Sequence, residues 1–250
     1  MSIKIGKFGF VNNFLPYYRL EQNGVRVIEA LPKKLAAMFD EGKIDYAPVP
    51  SFYYLKNKAK LRTYDFCVAS KTSVLSVILV SNGKLREVDN LSIAVTNQTV
   101  TSLNLLKIIL RERGQKNRIV VMDGYNTSEL LKCCDHALVI GDEAIKARMR
   151  YKVVMDLGEA WQDLTGYPMV FGISASHKEQ DMSEVNRKVM DSVEWGQKNV
   201  AEIVAVAEKK FGMPVEFLEE YFKSLTFKMG AKEKRGLELF GEKCHEYGLL

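Results

Sequence analysis

The sequence holds no apolar run long enough to cross a membrane, and its opening residues, MSIKIGKFGF, lack the long apolar core of a secretory leader. A cytoplasmic protein with no membrane partner is therefore expected. Cysteine and histidine are scarce. Cys67, Cys133, Cys134 and Cys244 fit neither a zinc site nor a CxxC redox pair, and His136, His177 and His245 are dispersed and form no HExxH. No metal and no cofactor is expected. The chain also has no GxSxG, no P-loop and no dinucleotide-type glycine loop, so no strong general base or nucleophile announces itself. A block of one charge is missing too. The net +5 comes from 36 Lys and Arg scattered among 31 Asp and Glu, which is too diffuse for nucleic acid and compatible with a small anionic ligand.

What is present is a globular composition, 47% hydrophobic and 27% charged over 250 residues, enough for one large or two small domains with a real core. The most informative stretch is Leu91 to Leu110, LSIAVTNQTVTSLNLLKIIL. A β-branched run passes through a cluster of hydroxyl and amide residues into an apolar helix. A helix start carries free N–H groups and the positive end of the helix dipole, which favour a carboxylate or phosphate. Thr101 and Ser102 stand at that start, as ordinary caps or as ligand donors.

The rest of the chain repeats this grammar. IKIGKFGF alternates as a strand and leads into VNNFLPYY, a loop in which Asn13 is either a turn residue or a neutral ligand donor. Val25 to Ala30 is a second strand, a helix starts at Pro32 and stops at Gly42, and Ile44 to Val49 is a third strand. Ser51 opens the next helix as a cap and a possible donor. This β-α-β-α-β order predicts a parallel sheet covered by helices. Tyr64 to Ser81 reads as two strands around a turn that carries Ser73, while Ser76 reads as a strand serine satisfied by backbone. Residues 82–90, NGKLREVDN, form the first candidate hinge. A second β-α-β-α-β unit follows, in which Asp142 stands at a strand's carboxyl end, either capping a helix or binding a ligand hydroxyl. The second crossing is expected within 156–174, and everything after it is expected to be helical, its aromatic stripes serving packing.

This pattern predicts an α/β chain of two lobes, residues 1–88 plus 173–250 against 89–172, with a cleft between them that closes on a small ligand. The candidate lining, Asn13, Ser51, Ser73, Thr101, Ser102 and Asp142, is mostly neutral and suits carboxylates. The residues alone lead to a two-lobed binder of a small organic anion.

Several segments taken together resemble a known family. GFVNNFLPYY, IDYAPVPSFYYL, SVLSVILVS, TVTSLNLLKIIL, VIGDEAI and DLGEAWQDLTGYPMVFG occur in the order found in the chorismate dehydratase family of the futalosine route to menaquinone. That family is similar in fold to type II periplasmic solute-binding proteins. The resemblance implies loss of water from chorismate to give 3-[(1-carboxyvinyl)oxy]benzoate, with Asn13 by the leaving hydroxyl and Ser51, Ser73, Thr101 and Ser102 on carboxylates. It covers roughly residues 3–175. Gly172 and Ser174 depart from it, since an alanine and an aromatic are usual near that point, and the loop after Phe8 carries a doubled asparagine. Two alternatives stand beside it. A sister family of the same fold makes 1,4-dihydroxy-6-naphthoate and would need a basic side chain at its reacting bond. A non-catalytic solute-binding protein would carry a leader or lipid anchor.

Overall fold

The computed structural model of the chain describes residues 3–83 and 91–250, so most of the hinge expected at 82–90 lies outside the described residues. The first strand, β1 (Ile5–Phe8), ends in a 3-10 turn at Val11–Asn13 and runs into helix α1 (Phe14–Gln22). Strand β2 (Val27–Ala30), helix α2 (Pro32–Asp40), strand β3 (Ala47–Pro50) and helix α3 (Ser51–Asn57) follow as the sequence predicts, with Pro32 in the first turn of α2. Proline suits that position because its missing N–H has no intrahelical partner there. β1 and β2 pair in parallel, and Gly6 N donates to Tyr46 O at 2.8 Å just before β3.

The strands β4 (Leu61–Ser70), β10 (Val170–His177) and β11 (Leu225–Lys228) complete this half as an antiparallel set in the order β11-β4-β10-β3. The parallel sheet expected here is therefore mixed. β11 also corrects the expectation of an all-helical carboxyl-terminal region. Leu225 belongs to a strand because β4 offers it an antiparallel edge, a long-range pairing that local periodicity cannot register.

The other half is a five-stranded sheet in the order β7-β6-β8-β5-β9, built from β5 (Val77–Ser81), β6 (Ser92–Thr96), β7 (Arg118–Met122), β8 (His136–Ile140) and β9 (Lys152–Asp156). β6 pairs in parallel with β7 and β8, and β5 is antiparallel to β8 and β9. Its helices are α4 (Thr101–Glu112), α5 (Thr127–Cys133), α6 (Gly141–Arg148) and α7 (Leu157–Thr165). β5 is buried at every residue, as a strand covered on both faces must be, and this explains its unbroken VILV text.

Sheet membership corrects the predicted lobe boundaries. β4 and β5, expected as two strands around a turn, sit in different sheets, so the chain crosses at residues 71–76 and not near 88. It returns between α7 and β10, and the boundary expected at 172–173 falls inside β10. The chain ends with α8 (Ser183–Lys198), α9 (Val200–Phe211), α10 (Val215–Ser224) and α11 (Ala231–Glu246). α8 continues through Gly196. A large core cluster spans both halves, with a smaller one around Ile78, Val80 and Ala137. Trp161 of α7 is fully buried and meets Phe240 of α11 edge to face, with ring centroids 6.1 Å apart. Burying such a ring contributes on the order of 2–3 kcal/mol. None of the described helices is long and apolar enough to cross a membrane.

Candidate functional site

A cleft with a cavity volume of about 60 Å³ lies where the two halves meet. The first half supplies Phe8, Phe10, Asn12, Pro50 and Phe171 to its wall. The second supplies Ser76, Thr99, Val100, Thr101, Ser102 and Gly141. Its described lining carries no charged side chain. Its lining is apolar with a few convergent polar groups, the character of a small-molecule site.

Three helices begin at this cleft, each after an apolar residue that lines it: Pro50 before α3, Val100 before α4 and Ile140 before α6. None of these residues makes a side-chain cap, and Gly141 N at the start of α6 donates instead to Ser76 O at 2.7 Å. The starts of α3 and α4 are tied together, because Phe52 N donates to Thr101 Oγ1 at 3.2 Å. That bond occupies an acceptor of Thr101 and leaves its hydroxyl proton for the cleft. Thr101 and Ser102 open α4 and line the cleft.

The asparagine assignment shifts by one residue. Asn13 is fully buried and does not line the cleft. Its Oδ1 accepts from Phe8 N at 3.2 Å and its Nδ2 donates to Asn12 Oδ1 at 2.8 Å. Asn12 is the residue that lines the cleft, its carbonyl already engaged and its amide N–H groups left to donate. The 3-10 turn accounts for the exchange, since it turns consecutive side chains to different sides.

Ser51 is also buried, and its Oγ donates to Val170 O at 2.6 Å, so it joins α3 to β10 and is absent from the lining. Ser73 lines a separate surface pocket with Arg148 and Asp156. The serine of that segment that reaches the cleft is Ser76, two residues into a tight turn. Ser76 N donates to Val74 O at 2.7 Å, and Leu75 between them has φ 60°, a left-handed conformation costly for a leucine. Asp156 holds this turn by accepting from Val74 N (3.0 Å) and Leu75 N (2.8 Å).

Asp142 is neither a cap nor a lining residue. Its Oδ1 accepts from Val11 N at 2.9 Å and so anchors the turn carrying Asn12 to the start of α6. Burial raises its pKa, against the opposing pull of the Val11 bond and of Lys146. Close packing reinforces this contact. Gly141 sits at φ +62°, and a Cβ there would lie 2.5 Å from the Phe10 ring. On the other wall a Cβ on Gly172 would lie 2.7 Å from Phe8 Cε2, so the glycine that departs from the family pattern makes room for a ring lining the cleft.

His136 and His177, the histidines that could supply the basic side chain a sister synthase needs, do not line the cleft. His136 is buried in β8 with both ring nitrogens unbonded, and burial lowers its pKa. His177 stacks on Phe39 with its Nε2 3.1 Å from Phe39 O. No group of three or more potential metal ligands occurs among the described residues.

Two α/β halves enclosing a neutral, donor-lined cleft are the architecture of the periplasmic-binding-protein fold, and solved structures agree. A protein from Archaeoglobus fulgidus superposes with a TM-score of 0.82 at 17% identity, covering 99% of this chain and 98% of the other. The periplasmic aliphatic sulphonate binding protein of Escherichia coli gives 0.70 at 14% identity, covering 99% and 88%. The alkanesulfonate-binding protein of Xanthomonas axonopodis pv. citri, bound to MOPS, gives 0.74 at 15% identity, covering 99% and 93%. Residues 3–246 match the menaquinone biosynthesis family, and the chain belongs to that family. Among curated relatives, the chorismate dehydratase of Thermus thermophilus is 29% identical over 245 residues, covering 90% of this chain and 88% of the relative.

Proposed function

We propose that this protein is a chorismate dehydratase, a hydro-lyase that removes water from chorismate to give 3-[(1-carboxyvinyl)oxy]benzoate in menaquinone biosynthesis. Under that reading it acts in the cytoplasm. The observation that carries it, beside family membership, is a cleft with neutral donors on facing walls and no charged side chain in its described lining.

The chemistry suits such a site. The C3 proton of chorismate lies at the end of a diene conjugated with the ring carboxylate, and the substrate's own enolpyruvyl carboxylate reaches it. Loss of that proton and departure of the C4 hydroxyl as water leave an aromatic ring, so the protein needs no strong base. It must fix the conformer and stabilise the leaving group. In this assignment the start of α4, with Thr101 and Ser102, holds one carboxylate. Ser76, on the same wall beside the start of α6, holds the other. The Asn12 amide donates to the departing hydroxyl. Asn13 and Asp142 serve by orienting Asn12 and its turn. The sister synthase reading loses ground because neither His136 nor His177 lines the cleft.

The test is incubation with chorismate followed by chromatography for the aromatic enol ether. Wild-type protein is expected to form it. Asn12→Ala is expected to lower kcat roughly 100-fold, the usual effect of removing one preorganised donor, with an unchanged melting profile. Folded wild-type protein that leaves chorismate intact would turn the reading toward a binding-only protein.

A further inference from the structure

Ser76 has a partner from far along the chain. Tyr221, on α10 and 145 residues away, is fully buried and donates its hydroxyl to Ser76 Oγ at 2.8 Å. The backbone of Ser76 is already occupied. Its N–H closes the turn on Val74 O, and its carbonyl accepts from Gly141 N at 2.7 Å. The hydroxyl is therefore free of its own backbone, and the phenol takes one of its acceptor positions. What remains is the serine proton, on the side of the cleft that Ser76 lines.

We propose that Tyr221 is a positioning residue for substrate binding: by donating to Ser76 Oγ it commits the Ser76 proton to a carboxylate of the ligand in the cleft. The inference rests on the reading above, in which Ser76 holds a carboxylate. Without the phenol, the serine hydroxyl spends its proton equally well on other orientations. With it, the donor is aimed before the ligand arrives. The phenol is suited to this. Burial pushes its pKa up, so it remains a donor across working pH, in the neighbourhood of Asp142, Tyr125 and Asp156. Its ring is held independently of the hydroxyl, stacked on Phe217 at 5.9 Å and packed beside Phe222. α10 also grips the crossing at its other end, where Lys71 N donates to Ser224 O at 2.8 Å and Lys71 Nζ to Lys223 O at 2.7 Å. Helix α10 thus sets both ends of the segment that carries Ser76.

A double-mutant cycle tests this with Tyr221→Phe, Ser76→Ala and the double variant. Turnover of chorismate is followed, and chorismate and benzoate binding are measured by calorimetry. Tyr221→Phe keeps the ring and is expected to lower kcat/KM about tenfold, mainly through KM, the scale of one net hydrogen bond. In the Ser76→Ala background the same change is expected to do nothing further, within about twofold. Ser76→Ala alone strands the buried phenol, so the double variant, which lacks both hydroxyls, is the folding control. An equal loss in both backgrounds, or no loss when Ser76 is present, overturns the proposal. Wild type that turns chorismate over but gives an additive cycle sinks only the role of Tyr221. Wild type that binds chorismate or benzoate with the non-additive pattern and makes no product sinks only the dehydratase reading. Wild type that neither binds nor turns over sinks both.

Discussion

The helices that follow strands of the five-stranded sheet begin in two different ways. α5 and α7 start with side chains that satisfy their N–H groups. Asn126 Oδ1 accepts from Ser128 N at 2.9 Å, and Asp156 Oδ1 accepts from Gly158 N at 2.9 Å and Glu159 N at 3.2 Å. α4 and α6 start after Val100 and Ile140, which cannot cap, and both of those residues line the cleft. An apolar residue in place of a good cap forgoes about 1 kcal/mol of stability. On the function proposed above, a bound carboxylate supplies the missing acceptor at α4, whereas Gly141 N of α6 is already bonded to Ser76 O. Under that proposal the open start of α4 marks the ligand side of this sheet, and the capped starts of α5 and α7 mark its scaffold.

Asp156 sharpens the contrast because it caps α7 and also holds the crossing beside the cleft. Asp156→Ala removes the acceptor of Val74 N, Leu75 N, Gly158 N and Glu159 N, and the carboxylate 3.8 Å from Arg148. Several of these donors are buried, so we expect the largest effect here, roughly 3–5 kcal/mol of stability by urea denaturation. Leu75 is then free to leave its left-handed conformation, and turnover should fall with Ser76 displaced. A loss near 1 kcal/mol would mean that Asp156 acts as a cap alone.

What the sequence discloses and what it hides divide along the same line. Thr101 and Ser102 were readable because a strand, a polar cluster and an apolar helix adjoin in one stretch. The α/β class was readable from the alternation. Ser76 looked like a backbone-satisfied strand serine, since nothing local shows that Asp156, 80 residues on, bends the chain there. Tyr221 carries no local signal of its own, because its partner Ser76 lies on another element. Asn13 and Asn12 are indistinguishable by type, and only the 3-10 turn decides which one lines the cleft. The boundaries at 88 and 172 missed because pairing of β5 with β8 and β9 is a long-range choice that a polar connector does not reveal.

The open start of α4 can be closed deliberately. Val100→Asp sets a carboxylate where the ligand's is expected, and like charges at that distance repel. We expect kcat/KM for chorismate to fall at least about tenfold and to recover partly as salt screens the added charge. Stability should change by less than about 1 kcal/mol, because the new cap offsets the lost valine packing. Val100→Asn, neutral and of similar size to Asp, separates charge from shape by losing less activity. An unaltered response to chorismate in Val100→Asp would remove α4 from the site.

The smallest effect is expected from the converse change, opening a closed start. Asn126 receives both Ser128 N and Ser128 Oγ, the latter at 2.7 Å, while Thr127 N and Oγ1 bond Glu143 Oε1, each at 2.8 Å. Asn126→Ala removes only the first pair, so α5 keeps part of its anchorage and the cost is about 1 kcal/mol or less. The start of α5 opens on a pocket with Lys146 and Arg150, not on the cleft, so chorismate turnover should stay within about twofold of wild type. Stability and activity measured together on this one variant decide the matter. A helix start remote from the ligand should move the unfolding midpoint and leave kcat/KM alone, whereas Val100→Asp does the reverse. Turnover falling in step with stability at Asn126 would show that capping in this half serves rigidity throughout, and that the open starts carry no information about the ligand.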